Sequence, residues 1–385
     1  MKTNSFHTSF QLNEKVFSSS EELILYAESF SKELAFFLKE WFAKDSFITV
    51  KTSGSTGKPK DIQLQKEFII NSAFTTGHFF NVLENTTALC CLPIAFIAGK
   101  MMLIRALTLG WHLDIVLPSS EPLKTIEKHY DFSAMVPLQV VNSIDKLYLI
   151  KQLIIGGGVI SYSLQQRLQE VSTHAFATYG MTETITHIAI KKLNNFQSTK
   201  PVLESHYKTV SNVQVSQDLR KCLVIDAPKV SSETIITNDV VEVISETEFI
   251  WKGRLDNVIN SGGIKLHPEE IEQKLFPAIA SRFFVAGLVD QILGERLILV
   301  IEAEAYQLDD ELLQVLSTRM KVAQKIGEYK KNNDITILQT NRWNEILERA
   351  VAKGNKMGLS DDFITKYMDA VHMESIQQQN KIMNS

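Results

Sequence analysis

The chain has 385 residues, 44% of them apolar and 22% charged, enough for two or three domains and too apolar to remain disordered. Forty Lys+Arg against 44 Asp+Glu leave a net charge of -4, which argues against a broad nucleic-acid surface. Cys90, Cys91 and Cys222 form neither a disulfide framework nor a metal-ligand spacing.

The amino-terminal residues Lys2 to Phe6 have no signal-like pattern, and the most apolar stretch, Ala88 to Leu109, is broken by Pro93, Lys100 and Arg105. A cytoplasmic protein with no membrane contact is therefore expected. A helical pattern runs from Ser20 to Glu40, and Phe47-Ile48-Thr49-Val50 reads as a strand. Directly after it comes Thr52-Ser53-Gly54-Ser55-Thr56-Gly57-Lys58-Pro59-Lys60. Glycines let backbone approach an anion, hydroxyls and N–H groups donate to phosphate oxygens, and lysines neutralise charge. Pro59 stands where a Walker loop needs Ser or Thr, so this is a different anion loop or a surface turn.

Leu153-Ile154-Ile155 is a second strand, followed by Gly156-Gly157-Gly158 and a helical pattern over Ser163 to Val171. Strands alternating with helices indicate an α/β fold. Tyr179-Gly180-Met181-Thr182-Glu183-Thr184 offers a ring for stacking, a hydroxyl, and a carboxylate able to hold magnesium. Asp239, in Thr237-Asn238-Asp239, can accept from two ribose hydroxyls. Gly253-Arg254-Leu255-Asp256-Asn257 opens a run that continues to Glu272. Each piece alone is as compatible with a turn or a cap as with a site.

The last 108 residues contain no proline, and from residue 306 onward eleven acidic and eleven basic side chains balance. Leu312, Leu313, Leu316, Met320, Ala323 and Ile326 recur at helical steps; further helices are expected over Trp343 to Ala352 and from Ser360 to about Met383. Arg319 and Lys330 are eleven residues apart and share one helix face, as do Ser375 and Gln379 at i and i+4. With Arg342 and Gln339 they suit a small dianion, or form a solvated helix bundle.

In this order the motifs of residues 40–305 resemble the adenylate-forming acyl-CoA synthetase superfamily. The wording Asp256 to Gly263 with Ala98-Gly99-Lys100-Met101-Met102 is similar to the o-succinylbenzoate–CoA ligases of menaquinone synthesis. The resemblance implies an α/β AMP-binding domain over 1–252 and a mobile α+β subdomain over 253–305. It implies that Thr52, Ser53, Gly54, Ser55, Thr56, Gly57, Lys58 and Lys60 handle the ATP phosphates, with Gly157, Tyr179 and Gly180 near the nucleotide. Thr182 and Glu183 would serve phosphate and magnesium (Mg2+), Asp239 the ribose, Arg254 a ribose or phosphate oxygen, and Asp256 the hinge. The implied partners are ATP, coenzyme A and a small-molecule aromatic carboxylate. Phe96 stands where many members carry histidine, and no Gly-Lys segment follows Leu297 to Ile301, so the subdomain reads as truncated.

Residues 309–385 resemble the all-helical class of chorismate mutase, which implies an all-α segment over 306–385 and a homodimer through it. By that resemblance Arg319 and Arg342 would bind carboxylates, Lys330 and Gln379 the ether oxygen, and Ser375 and Gln339 the ring hydroxyl region, with no cofactor. Glu302 falls at the register of that family's first-helix arginine. The chain is thus expected to be a ligase fused to a mutase-like tail, or alternatively a mutase whose ligase half only binds nucleotide.

Overall fold

The computed structural model describes residues 6–51, 61–194, 206–279, 281–302, 305–333 and 340–384. They form two compact units, Met1–Val300 and Ile301–Ser385.

The first unit is built on a 13-stranded sheet that changes character along its length. Strands His112–Ile115, Thr87–Cys90, Tyr130–Met135, Ile150–Ile155 and His174–Gly180 lie side by side and parallel. Helices Lys66–Phe80, Ile97–Leu109, Pro137–Ser143 and Tyr162–Leu168 fall between strands in this part of the chain, as parallel crossovers require. Every residue from Met101 to Leu109 is buried, so that helix is enclosed rather than amphipathic. Gly99 opens it because a Cβ there would stand 2.2 Å from the Pro93 carbonyl oxygen.

The α/β alternation stops after Gly180. Strands His187–Lys192, Tyr207–Thr209, Glu248–Arg254, Ile235–Ser245, Cys222–Asp226 and Gln214–Gln217 continue the sheet antiparallel, with no α-helix among the described residues between them. Short connections with Asn212 and Lys221 in the left-handed region, φ 61° and 64°, leave no length for a crossover helix.

The helical run read over Ser20 to Glu40 is two helices, Ser20–Glu28 and Lys32–Phe42. Ser31 caps the second, its Oγ accepting from Leu34 N at 3.2 Å, so a serine the periodicity treats as helical ends one helix and starts another. A separate four-stranded sheet contains Ile264–Leu266, Ile259–Ser261, Gly294–Ile301 and Phe283–Asp290. Helix Pro268–Leu275 accompanies it, and the Phe276 and Phe283 rings meet with centroids 5.5 Å apart.

The second unit holds helices Ala305–Asn332, Thr340–Asn355 and Asp361–Met383. Ser360 caps the last, accepting from Phe363 N at 3.3 Å, as its sequence indicates. Gly327 lets two helices close: a Cβ there would be 3.0 Å from Gln379 Cα. No helix among the described residues is long and apolar enough to cross a membrane.

Candidate active site

Parallel strands aim their carboxyl ends at one edge of a sheet, where open α/β folds hold ligands. At this edge Gly156, Gly157 and Gly158 follow the strand ending at Ile155, and Gly180 ends the next. Gly157 has φ 75°, and a Cβ on Gly180 would come within 2.1 Å of the Thr186 carbonyl oxygen. Thr182 to Thr184 then make one 3-10 turn. It is pinned from inside: Thr184 Oγ1 accepts from Met181 N at 2.9 Å and donates to Thr186 O at 2.7 Å. Ile185, buried and β-branched, is held at φ 67°, a costly conformation that persists only where its surroundings fix it. The turn leaves Glu183 exposed.

Asp239 is the hub of the neighbouring antiparallel strands. It is only 7% exposed, yet both its oxygens are engaged. Tyr179 Oη donates to Oδ2 at 2.7 Å and Trp251 Nε1 to Oδ1 at 3.2 Å. Arg254, its cross-strand partner, places Nη1 4.0 Å from Oδ1 and donates through Nη2 to Asp256 Oδ2 at 2.7 Å. Burial first, and the Asp239 carboxylate second, push the Tyr179 hydroxyl far above its ordinary value, so it remains a donor. Each carboxylate oxygen has about two acceptor sites, so each retains one after Tyr179 and Trp251 are served. Tyr179 itself packs edge-on against Tyr207 and Phe249.

Three groups here escape sequence reading. Trp251 lies in a strand whose alternation looks merely structural, although a half-buried indole N–H demands an acceptor. Arg220 sits in a turn outside every motif. Arg105, read only as an interruption of an apolar stretch, is 1% exposed. It donates to Thr76 Oγ1 at 3.3 Å and Thr186 Oγ1 at 3.5 Å, and no carboxylate pairs with it among the described residues. Burial lowers its pKa to about 9. Burial and then the Arg105 charge hold His187, whose Nε2 lies 3.2 Å from Thr76 Oγ1, well below the usual histidine range. Cys90 and Cys91 are pushed up to about 11 and 12 by burial, which leaves them unreactive thiols.

The predicted phosphate loop, Thr52 to Lys60, lies outside the described residues. Its flanks pair antiparallel from Phe47↔Gln65 to Lys51↔Asp61, so the chain leaves and re-enters side by side. No cluster of three metal-ligating side chains occurs among the described residues. A cavity of about 400 Å³ lined by His129, Tyr130, Tyr148, Lys151 and His174 opens at the amino ends of the parallel strands and includes none of the predicted residues.

In the helical unit Arg319 and Lys330 lie on Ala305–Asn332, and Ser375 and Gln379, 9% and 8% exposed, on Asp361–Met383. Ser375 Oγ donates to Val371 O at 2.7 Å and Gln379 Nε2 to Ser375 O at 3.3 Å, while Gln379 Oε1 is buried without a partner. His372 stacks on Trp343 with centroids 3.9 Å apart. Burial lowers the His372 pKa; the Arg319 and Lys330 charges lower it further, against Asp369. Arg342 lies in Thr340–Asn355, its side chain outside the described residues, as is Gln339 altogether.

Residues 301–380 match the family model for chorismate mutase type II, and residues 15–215 that for AMP-binding enzymes. The 2-succinylbenzoate–CoA ligase of Haemophilus influenzae is 25% identical over 65% of this chain and 58% of its own length; that of Escherichia coli K12 is 24% identical over 67% and 59%. The chain thus spans about six-tenths of the curated relatives it matches. Among solved structures, an AMP-forming acyl-CoA synthetase-like protein from Dyadobacter fermentans is 33% identical over 73% of this chain and 82% of its own, with a TM-score of 0.53. The o-succinylbenzoate coenzyme A synthetase of Bacillus subtilis, solved with ATP and magnesium, is 20% identical over 76% and 74%, with a TM-score of 0.58, a likeness of fold. With a motif order, a sheet edge and a family match over just over half its length in agreement, this chain belongs to the AMP-binding enzymes.

Proposed function

We propose that the chain is an ATP-dependent acid–thiol ligase that converts an aromatic carboxylate, o-succinylbenzoate or a close analogue, to its coenzyme A thioester in menaquinone synthesis in the cytoplasm. Residues 1–252 would adenylate, 253–305 would be a shortened mobile subdomain turning about Asp256, and 306–385 a separate helical domain. The observation that carries the reading is the Asp239 carboxylate, fixed by Tyr179, Trp251 and Arg254 at the ligand edge of the sheet with one acceptor site free on each oxygen. A vicinal diol such as a ribose needs that pair.

The substrate carboxylate would attack the α-phosphorus of ATP, with pyrophosphate leaving, and the thiol of coenzyme A would then displace AMP from the acyl-adenylate. Such transfer depends on positioning and charge neutralisation more than on covalent catalysis. The Ser53 to Lys60 loop would hold the phosphates, Gly157 and Gly180 would let backbone approach the nucleotide, and Thr182 and Arg254 would bond its oxygens. Magnesium bound through Glu183 would neutralise phosphate charge. Arg105, a buried cation without a carboxylate partner, would meet the second carboxylate of a dianionic substrate. A buried unpaired charge costs several kcal/mol, which a bound carboxylate offsets.

The test is pyrophosphate release with ATP, magnesium and o-succinylbenzoate, beside a Lys58→Ala control. Release that needs the acid and is lost in the control supports the reading. ATP binding without release would sink it in favour of a domain that binds nucleotide and turns nothing over.

A second activity, chorismate to prephenate in a homodimer of the helical unit, is favoured by the orphaned Gln379 Oε1 and by the Arg319 and Lys330 charges on the same unit. It requires no cofactor, only tighter binding of the compact transition state. Loss of chorismate absorbance on adding the protein supports it; an unchanged absorbance counts against it.

A further inference from the structure

Strand Ile235–Ser245 does not run evenly along Cys222–Asp226. Ile236 pairs with Val224 and Val240 with Cys222, so Thr237, Asn238 and Asp239 stand opposite Leu223 alone. Such a bulge re-aims side chains, here that of Asp239, but it removes ladder partners from the backbone it displaces. Thr237 Oγ1 repairs part of the loss, accepting from Asp239 N at 3.1 Å and donating to Leu223 O at 2.9 Å.

Arg220 answers the Thr237 carbonyl. Its turn is locked by Asp218, whose Oδ1 accepts from Arg220 N at 2.8 Å and Cys222 N at 2.9 Å, and whose Oδ2 accepts from Arg220 Nε at 2.7 Å. The guanidinium is therefore aimed before it makes its outward bonds. Nη2 donates to Thr237 O and Nη1 to Asn238 Oδ1, both at 3.0 Å. Asn238 Nδ2 in turn reaches Asp256 Oδ1 at 3.4 Å, and the other Asp256 oxygen is the one held by Arg254. One polar chain thus runs from Asp218 through Arg220, Asn238, Asp256 and Arg254 to Asp239.

We propose that Arg220 is a positioning residue. It holds the bulge that presents Asp239 and, through Asn238, clasps the turn Leu255–Asn257 to the same strand. This deepens the ligase reading and rests on it only for the identity of the nucleotide. A planar fork is required, since two acceptors on adjacent residues are bonded at once, and lysine offers only a point charge.

The test compares the full chain with Arg220→Met, Arg220→Lys and Asn238→Ala, measuring hydrogen exchange peptide by peptide and ATP affinity by calorimetry. Both arginine variants should speed exchange over residues 237–240 and 255–258, leave the Met101 to Leu109 helix unchanged, and weaken ATP about tenfold, the scale of lost charged hydrogen bonds. Asn238→Ala should loosen 255–258 while 237–240 stays protected. Unchanged exchange over 237–240 in Arg220→Met overturns the clasp, whatever the nucleotide does, and so does full restoration by lysine. If Arg220→Met does not fold, Asn238→Ala decides: equal exchange at 255–258 overturns the proposal, and selective loosening supports it. An unsubstituted protein that fails to bind ATP would sink the ligase reading, while the exchange data would still decide the clasp.

Discussion

The two units differ in how much core each carries and in how each holds its polar site. Around Asp239 a hydroxyl, an indole and a guanidinium converge on one carboxylate, while elsewhere in that unit Ser143 Oγ, His267 Nδ1 and Glu269 Oε2 are buried without a partner. In the helical unit Gln379 Oε1 is buried and unanswered, and helix Ala305–Asn332 exposes Leu312, Val315, Val322, Ile326 and Tyr329 at helical spacing. Among the described residues only Ala323, Ile364 and Val371 are buried hydrophobics there. One unit carries its own core and a preorganised site; the other has helices whose apolar faces exceed what three helices cover. A homodimer through the tail follows as an expectation, and sedimentation of the whole chain checks it: a monomer at micromolar concentration would break the contrast.

The sharpest way to break the comparison is to remove its centre. Asp239→Ala leaves the Tyr179 hydroxyl and the Trp251 N–H without their acceptor and the Arg254 charge with only Asp256. Pyrophosphate release per ATP bound at low concentration should fall by about 10²-fold or more. Asp239→Asn, which keeps an acceptor but not the charge, should fall less. Equal losses in the two variants would mean that the charge, rather than the shape or the remaining acceptor, is what matters at this position.

Next in size is Gly327→Ala. The added Cβ meets Gln379 Cα at 3.0 Å, backbone that cannot swing away, so helices Ala305–Asn332 and Asp361–Met383 must separate. A loss of about 1–3 kcal/mol is expected in the melting of the helical unit, as for overpacked cores. The melting of the first unit, followed through substrate-dependent pyrophosphate release, should not move. A shift in both would mean that the two units unfold as one.

Arg105→Met tests whether an unpartnered charge is kept for function. Without ligand the variant should be more stable, by about 1–3 kcal/mol, because a buried cation with no counter-ion is replaced by an apolar chain. Its activity toward a dicarboxylate should nevertheless fall. The gain should also shrink as pH rises. With the folded pKa lowered to about 9 from 12.5, the unfolded chain binds more protons between those values, so stability of the unsubstituted protein rises with pH there and the gap closes. A variant that loses both stability and activity would make Arg105 a structural residue.

How much of this was legible in the sequence depends on range. Ser360 announced its helix because a cap needs only the next three residues, and Tyr179, Asp239, Arg254 and Asp256 stood in motifs whose order carries the resemblance. Trp251 and Arg220 did not show, because their partners are set by strand register, and a bulge of three residues opposite Leu223 has no local signature. Arg105 looked like a break in an apolar run, since its burial comes from the helix being enclosed on all sides. The break in the Ser20 to Glu40 run is hidden for the opposite reason: the period carries Ser31 along as a helical position, whereas its side chain competes as a cap.

The smallest effect expected lies at His187, in contact with the same buried cation. Burial and Arg105 hold it neutral when folded, whereas in the unfolded chain it takes a proton below about 6.5. The unfolded state then binds more protons than the folded one, so stability must fall as pH drops below 6.5. His187→Gln keeps a polar partner for Thr76 and removes the titration. The difference in unfolding free energy between the two proteins should be flat above pH 7 and move in favour of the variant on the acid side, approaching about 1.4 kcal/mol for each pH unit crossed. Adding Arg105→Met should lessen that slope near the folded pKa, because one of the two causes of the depressed value is then gone. A difference independent of pH would mean that His187 takes up its proton as readily in the fold as in the unfolded chain, which would require an anion beside Arg105 and would turn attention back to what that cation holds.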